Sequence, residues 1–203
     1  LHFEARRQRQ MCIRDSVLDL VKTSANLLLG GIIVIIFVTV FNAPMILGWI
    51  YNDVQDAIGP FQFLMLGFFP IGMNFIFGTL LTANGNLTAL NSISAVGILA
   101  NISINIVLIP KYGALGAAIA TFATQGTTSI AQFFYCMHKF KIPKNPLGIL
   151  KFIALIAGLY GISAALKDSS YLMVWQMLAG TAFIFALSLI DIKALKKLIL
   201  SSN

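Results

Sequence analysis

The chain has 203 residues, 58% of them hydrophobic and only 10% charged, with a net charge of +7. Its mean hydropathy is +0.87, whereas an ordinary soluble domain is about 45–50% apolar and about 25% charged. This balance excludes a soluble globular enzyme, a disordered tail and a disulfide-stapled secreted domain, and leaves a membrane protein whose basic loops account for the charge without nucleic acid.

The first sixteen residues, LHFEARRQRQMCIRDS, are polar and carry Arg6, Arg7, Arg9 and Arg14. They lack the apolar run of about 7–15 residues that a signal peptide needs. The string MCIRDS resembles the translation of a sequencing adapter. Residues 1–16 are therefore expected to be a non-native or disordered lead-in. A six-helix transmembrane lobe is expected over 17–190 and a basic cytoplasmic tail over 191–203.

A membrane span needs about 20 apolar residues, and six such stretches follow in order. The first covers residues 24–50, with Pro44 expected to kink it near its end. The second covers 60–81, with Pro70 at its middle, and the third covers 86–109, stopping at Pro110. The fourth, fifth and sixth cover 113–137, 147–166 and 171–190. Lys151, near the start of the fifth, is the one charge that intrudes. Lipid cannot satisfy exposed backbone groups, so uninterrupted runs of this length predict helices and an all-α, polytopic fold.

The lysines orient these spans. With the N-terminal side cytoplasmic, Lys22, Lys139, Lys141, Lys144, Lys151, Lys193, Lys196 and Lys197 lie inside. Only Lys111 and Lys167 lie outside, beside Asp53, Asp56 and Asp168. The positive-inside rule then puts both ends in the cytoplasm. Trp49, Tyr51, Tyr112, Tyr171 and Trp175 all fall at the expected outer interface, where an aromatic belt belongs. The tail pattern IKALKKLIL reads as a basic amphipathic helix on the inner leaflet.

Neutral polar residues carry what signal remains inside the membrane. Ser94, Gly97, Asn101 and Asn105 share one helical face, and Thr121, Gln125, Thr128 and Gln132 share another. Asn74 sits just past Pro70, and Gln176 lies near the outer end of the sixth span. Two readings stand side by side. The stripes line a cavity for a hydroxyl-rich substrate, or they are hydrogen-bonding glue between packed helices. The small residues Gly116, Ala120 and Thr124, and Ala154, Ala157, Gly158, Gly161 and Ala165, predict close helix packing.

Catalysis finds no footing in the sequence. There is no P-loop, and Gly161-Ile162-Ser163-Ala164 is not a nucleophile elbow. His138 is expected in an inner loop, and neither a carboxylate pair nor a His/Cys cluster has metal-ligand spacing. No enzyme activity, cofactor or metal is expected.

Residues 80–86, LLTANGN, close the second span, and residues 105–121 read NIVLIPKYGALGAAIAT after Asn101. Together these resemble the L-x-A-x-G-(K/N) … N-x-x-L-I-P-x-Y-G-x-x-G-A-A-x-A-T signature of bacterial polysaccharide flippases. That family belongs to the multidrug/oligosaccharidyl-lipid/polysaccharide exporter superfamily. In this motif Pro110, Gly113, Gly116 and Ala117 are structural: a helix end, a sharp turn and a close-packing face.

The resemblance implies the C-terminal lobe of a two-lobed exporter, its partner being an N-terminal lobe of the same protein. Such proteins move lipid-linked oligosaccharide, of the polyprenyl-diphosphate type, across the inner membrane for polysaccharide biosynthesis. It implies that Asn101, Asn105, Gln125, Gln132 and Asn74 face a substrate cavity, and that cationic residues for the diphosphate lie in the other lobe. The alternatives are a drug/cation antiporter of the same superfamily and a six-helix membrane subunit without transport of its own.

Overall fold

The computed structural model describes residues 2–142, 146–166 and 171–187. Every element in it is helical: α1 (His2–Phe41), α2 (Ala43–Gly48), α3 (Gln55–Ala83), α4 (Leu87–Phe140), α5 (Pro146–Ala165) and α6 (Leu172–Ala186). The basic tail, the end of the sixth span and the loops holding Lys144, Lys167 and Asp168 lie outside the described residues.

Three sequence expectations change at this point. First, α1 begins at His2 and runs unbroken past residue 16. The lead-in contains neither Gly nor Pro and is rich in good helix formers, so its backbone is helical rather than disordered. Second, the first span does not run kinked to residue 50. It ends at Phe41, Asn42 breaks it, and Pro44 starts a new short helix as an early-turn residue of α2. Third, Pro110 does not stop the third span. Helical backbone carries on through Lys111 and Tyr112, and the break falls at Gly113, with φ 54° and ψ −129°. A proline forfeits one hydrogen bond, which a last turn tolerates. Only glycine reaches that φ/ψ combination without a Cβ clash.

That break makes α4 a hairpin. Asn101 Nδ2 donates to Thr124 Oγ1 at 3.0 Å, a Cβ on Gly97 would strike the Thr128 methyl, and one on Gly116 would strike the Leu108 carbonyl. These facing pairs are all centred beside Gly113, so the two arms lie antiparallel. At 1.5 Å per residue the arms, 87–112 and 114–140, are each about 40 Å long. The turn from α3 into the first arm is equally specific. Gly85 has φ +70°, Asn86 N–H donates to Leu81 O at 2.9 Å, and Gly85 N–H donates to Thr82 O at 3.1 Å. This is a Schellman cap on α3. Thus both glycine-bearing pieces of the family-like motif are corners.

Two packing centres hold the bundle. One joins Ile33, Val34, Phe37 and Val38 of α1 to Leu155 and Leu159 of α5 and Ile184 of α6. The other joins Phe77, Leu80 and Leu81 of α3 to Cys136 of α4. Small residues let the helices approach. A Cβ on Gly180 would sit 2.5 Å from Val34 Cγ1, and one on Gly158 would sit 2.8 Å from the Phe183 ring.

Outward, the surface is apolar: Phe75 is 68% exposed, Ile106 69% and Phe134 65%. Among the described residues, four helices (counting α4 as one) are long and apolar enough to cross a membrane, and α6 is a shorter apolar helix. Exposed apolar surface on this scale is compatible with a lipid surrounding. Trp49, Tyr51, Tyr112, Tyr171 and Trp175 are all exposed. Met45 and Trp49 share a groove with Tyr171 and Val174, and Gly59 of α3 lies against Leu115 just past the α4 corner. The aromatic residues therefore gather at one end of the bundle.

Candidate functional site

The two polar stripes meet. Folding α4 back on itself turns the face bearing Ser94, Gly97 and Asn101 toward the face bearing Thr121, Gln125, Thr128 and Gln132. Helix α3 closes the third side with Asn74. The space between them is a cavity of about 450 Å3, within the roughly 300–1,000 Å3 typical of small-molecule sites. Asn101 lies twelve residues from the Gly113 corner and Gln132 nineteen, hence about 18 and 28 Å down the arms. None of the described lining residues is charged.

The hydrogen bonds around the cavity run mostly in one direction. Asn74 Nδ2 donates to Gln125 Oε1 at 2.8 Å, to Thr128 Oγ1 at 3.2 Å and to the Gln125 carbonyl at 3.4 Å. Asn105 Nδ2 donates to Asn101 Oδ1 at 2.9 Å, and Asn101 passes its own Nδ2 to Thr124. The threonine hydroxyls donate back to carbonyls of their own helix, Thr121 to Ala117, Thr124 to Ala120 and Thr128 to Thr124. Three buried acceptors are left without a partner: Asn74 Oδ1, Asn105 Oδ1 and Gln132 Oε1. Leaving such an atom unpaired costs about 1–3 kcal/mol, so three together need a reason.

The sequence candidates divide accordingly. Asn74, Asn101, Gln125 and Gln132 line one space. Asn105 stands one turn nearer the corner, outside the lining, and reaches the cavity through Asn101. Pro110, Gly113, Gly116 and Ala117 cluster at the corner and do not line the cavity. Gln176 belongs elsewhere. It is fully buried, accepts from Asn42 Nδ2 at 2.6 Å and donates to Ser163 Oγ at 2.8 Å. Sequence reasoning missed Asn42 and set Ser163 aside with the failed nucleophile elbow. The available signal for Asn42 was a polar residue two positions before Pro44, between two apolar stretches.

No three His, Cys, Asp or Glu side chains converge on a metal-sized site among the described residues. No family model, no curated protein and no solved structure matches the chain.

Proposed function

We propose that the chain is the C-terminal lobe of an exporter that moves lipid-linked oligosaccharide, of the polyprenyl-diphosphate type, across the bacterial inner membrane. In this reading the α4 arms cross separately, six crossings result, and both ends are cytoplasmic. The basic residues on the inner side and the aromatic ones on the outer side agree with that orientation. The family resemblance of residues 80–121 gives the reading its direction. One observation carries it furthest: an uncharged, hydrogen-bonding cavity between long apolar helices, lined from three helical rods.

Polar groups in lipid are costly unless they pair or face a cavity. Here a set of them faces a cavity and is left partly unpaired. Hydroxyl-rich ligands have the matching groups. The charged diphosphate has no counterpart in this lining, so the reading assigns it to a companion lobe that rocks against this one, as in transporters built from repeats.

The test is export. The complete protein containing this chain, expressed in a strain lacking its own flippase, is expected to restore surface polysaccharide. Replacing Asn101→Leu and Asn105→Leu together is expected to abolish that rescue with normal membrane insertion. Unchanged export by the double variant would remove the cavity from the mechanism.

A further inference from the structure

Three of the seven methionines of the chain, Met45, Met173 and Met177, line a single groove of about 390 Å3 between α2 and the first turns of α6. Of the six methionines from Met45 onward, only Met45 (45%) and Met177 (42%) are exposed, and both are here. Elsewhere the exposed apolar surface is built of leucine, isoleucine, valine and aromatic side chains.

The fold holds the three opposite one another. Met173 and Met177 stand one turn apart on α6, which puts their Cβ atoms about 5–6 Å apart on one face. Gln176, beside them, accepts the 2.6 Å hydrogen bond from Asn42 Nδ2, and Asn42 lies about one turn before Met45. That bond pins the start of α2 against this turn of α6. Met173 also packs against the buried cluster of Val34, Leu155 and Ile184, and Trp49 and Tyr171 add two aromatic rings to the groove.

Thioether sulfur is neutral and polarisable, and it is a soft metal ligand. It selects Cu(I) over hard cations, which take oxygen. The described lining residues include no carboxylate and no imidazole, so Zn(II) and Ca(II) find neither of their usual side-chain ligands among them. An indole such as that of Trp49, at the groove wall, attracts a bound cation through its face.

We infer that Met45, Met173 and Met177 form a thioether site for a single soft monovalent cation, Cu(I), at the aromatic-rich end of the bundle. The site lies apart from the cavity between α3 and α4, and neither reading needs the other.

The probe is Ag(I), a redox-stable, filled-shell ion of the same charge. The full chain, carrying Cys12→Ser to remove a competing thiol, is labelled at its methionine methyls and studied by NMR in phosphatidylcholine nanodiscs; Cys136 is fully buried and stays. Silver nitrate is expected to shift the methyl signals of Met45, Met173 and Met177 together, to saturate at one ion, and to leave Met65 and Met73 in place. Cu(I), kept reduced by ascorbate, is expected to compete for the same three signals. Met45→Leu and Met177→Leu, on different helices, are each expected to weaken binding at least about ten-fold, as even outer-shell changes at metal sites do. Leucine keeps the volume, so both variants are expected to fold normally, and parent-like signals from Met65 and Met73 check that they do. Several outcomes overturn the inference: no shift, equal shifts at every methionine, binding indifferent to both leucine variants, or the same response to zinc chloride. Ag(I) binding that Cu(I) does not compete for would remove the copper assignment. If silver has no effect while a change of lipid chain length moves the three methyls, the groove is instead an adaptable apolar seat for lipid.

Discussion

Two parts of the bundle carry buried polar side chains and treat them in opposite ways. Between α1, α5 and α6, Asn42, Gln176 and Ser163 form a closed chain. Asn42 also donates to Val38 O at 2.7 Å and Ser163 to Leu159 O at 2.8 Å, so none of them leaves a bare buried atom. Between α3 and α4, a larger polar set surrounds an open space and leaves Asn74, Asn105 and Gln132 each with one buried acceptor oxygen unmet. The first arrangement is what helix-to-helix glue looks like when complete. The second has the same residue types and withholds completion. Burial and polarity alone would not separate them; the count of unmet acceptors does.

Four substitutions test that contrast, all read as unfolding free energy in mixed micelles. The largest effect is expected from Gly113→Val. It forces a β-branched residue to φ 54° at the corner that brings the two stripes together, at the upper end of the roughly 1–3 kcal/mol such positions cost. The cavity should be lost with it. Gln176→Leu comes next, at about 2 kcal/mol, because two bridging hydrogen bonds disappear at once and intramembrane bonds average about 0.6 and reach about 1.7 kcal/mol. A cost near zero would mean the closed chain is ornamental. Asn101→Leu removes the bond to Thr124 between the arms and the one accepted from Asn105 within its own arm; both are part-buried, and the cost should be about 1 kcal/mol. The smallest change is expected from Gln132→Met, within about 0.5 kcal/mol of the parent or slightly stabilising, since an unmet acceptor is removed. If Gln132→Met proved as costly as Gln176→Leu, the two regions would be the same kind of structure, and the cavity would lose its distinction.

The sequence carried the helices well because long apolar runs admit one backbone solution. Period also carried the stripes: Asn101 and Gln125 could be put on faces from spacing alone. That the two faces turn toward each other was less legible. It depends on how the chain reverses at Gly113, a turn the motif marked, whereas Pro110 drew the helix boundary three residues early because proline is the louder local signal. Asn42 and Ser163 were illegible for a different reason. Each is an isolated polar residue among apolar ones, and only tertiary contact with Gln176 makes them a group. The lead-in was set aside for its adapter-like string and missing apolar run, neither of which bears on backbone conformation, and local propensity makes it helical.

The corner at Gly113 also bears on how such a chain would be made. It joins two apolar arms with no intervening loop, and Lys111 is the one charge near it. The first arm entering a bilayer alone would carry the Asn101 amide into hydrocarbon with its Nδ2 unpaired, because Thr124 lies on the second arm. Two arms joined at a single residue can meet while the rest of the bundle is still being synthesised, with Asn101 already held by Thr124. The expected unit of biogenesis is therefore the pair. A ribosome-stalled intermediate ending between the arms should slip back out of the membrane, while one ending past residue 140 should stay.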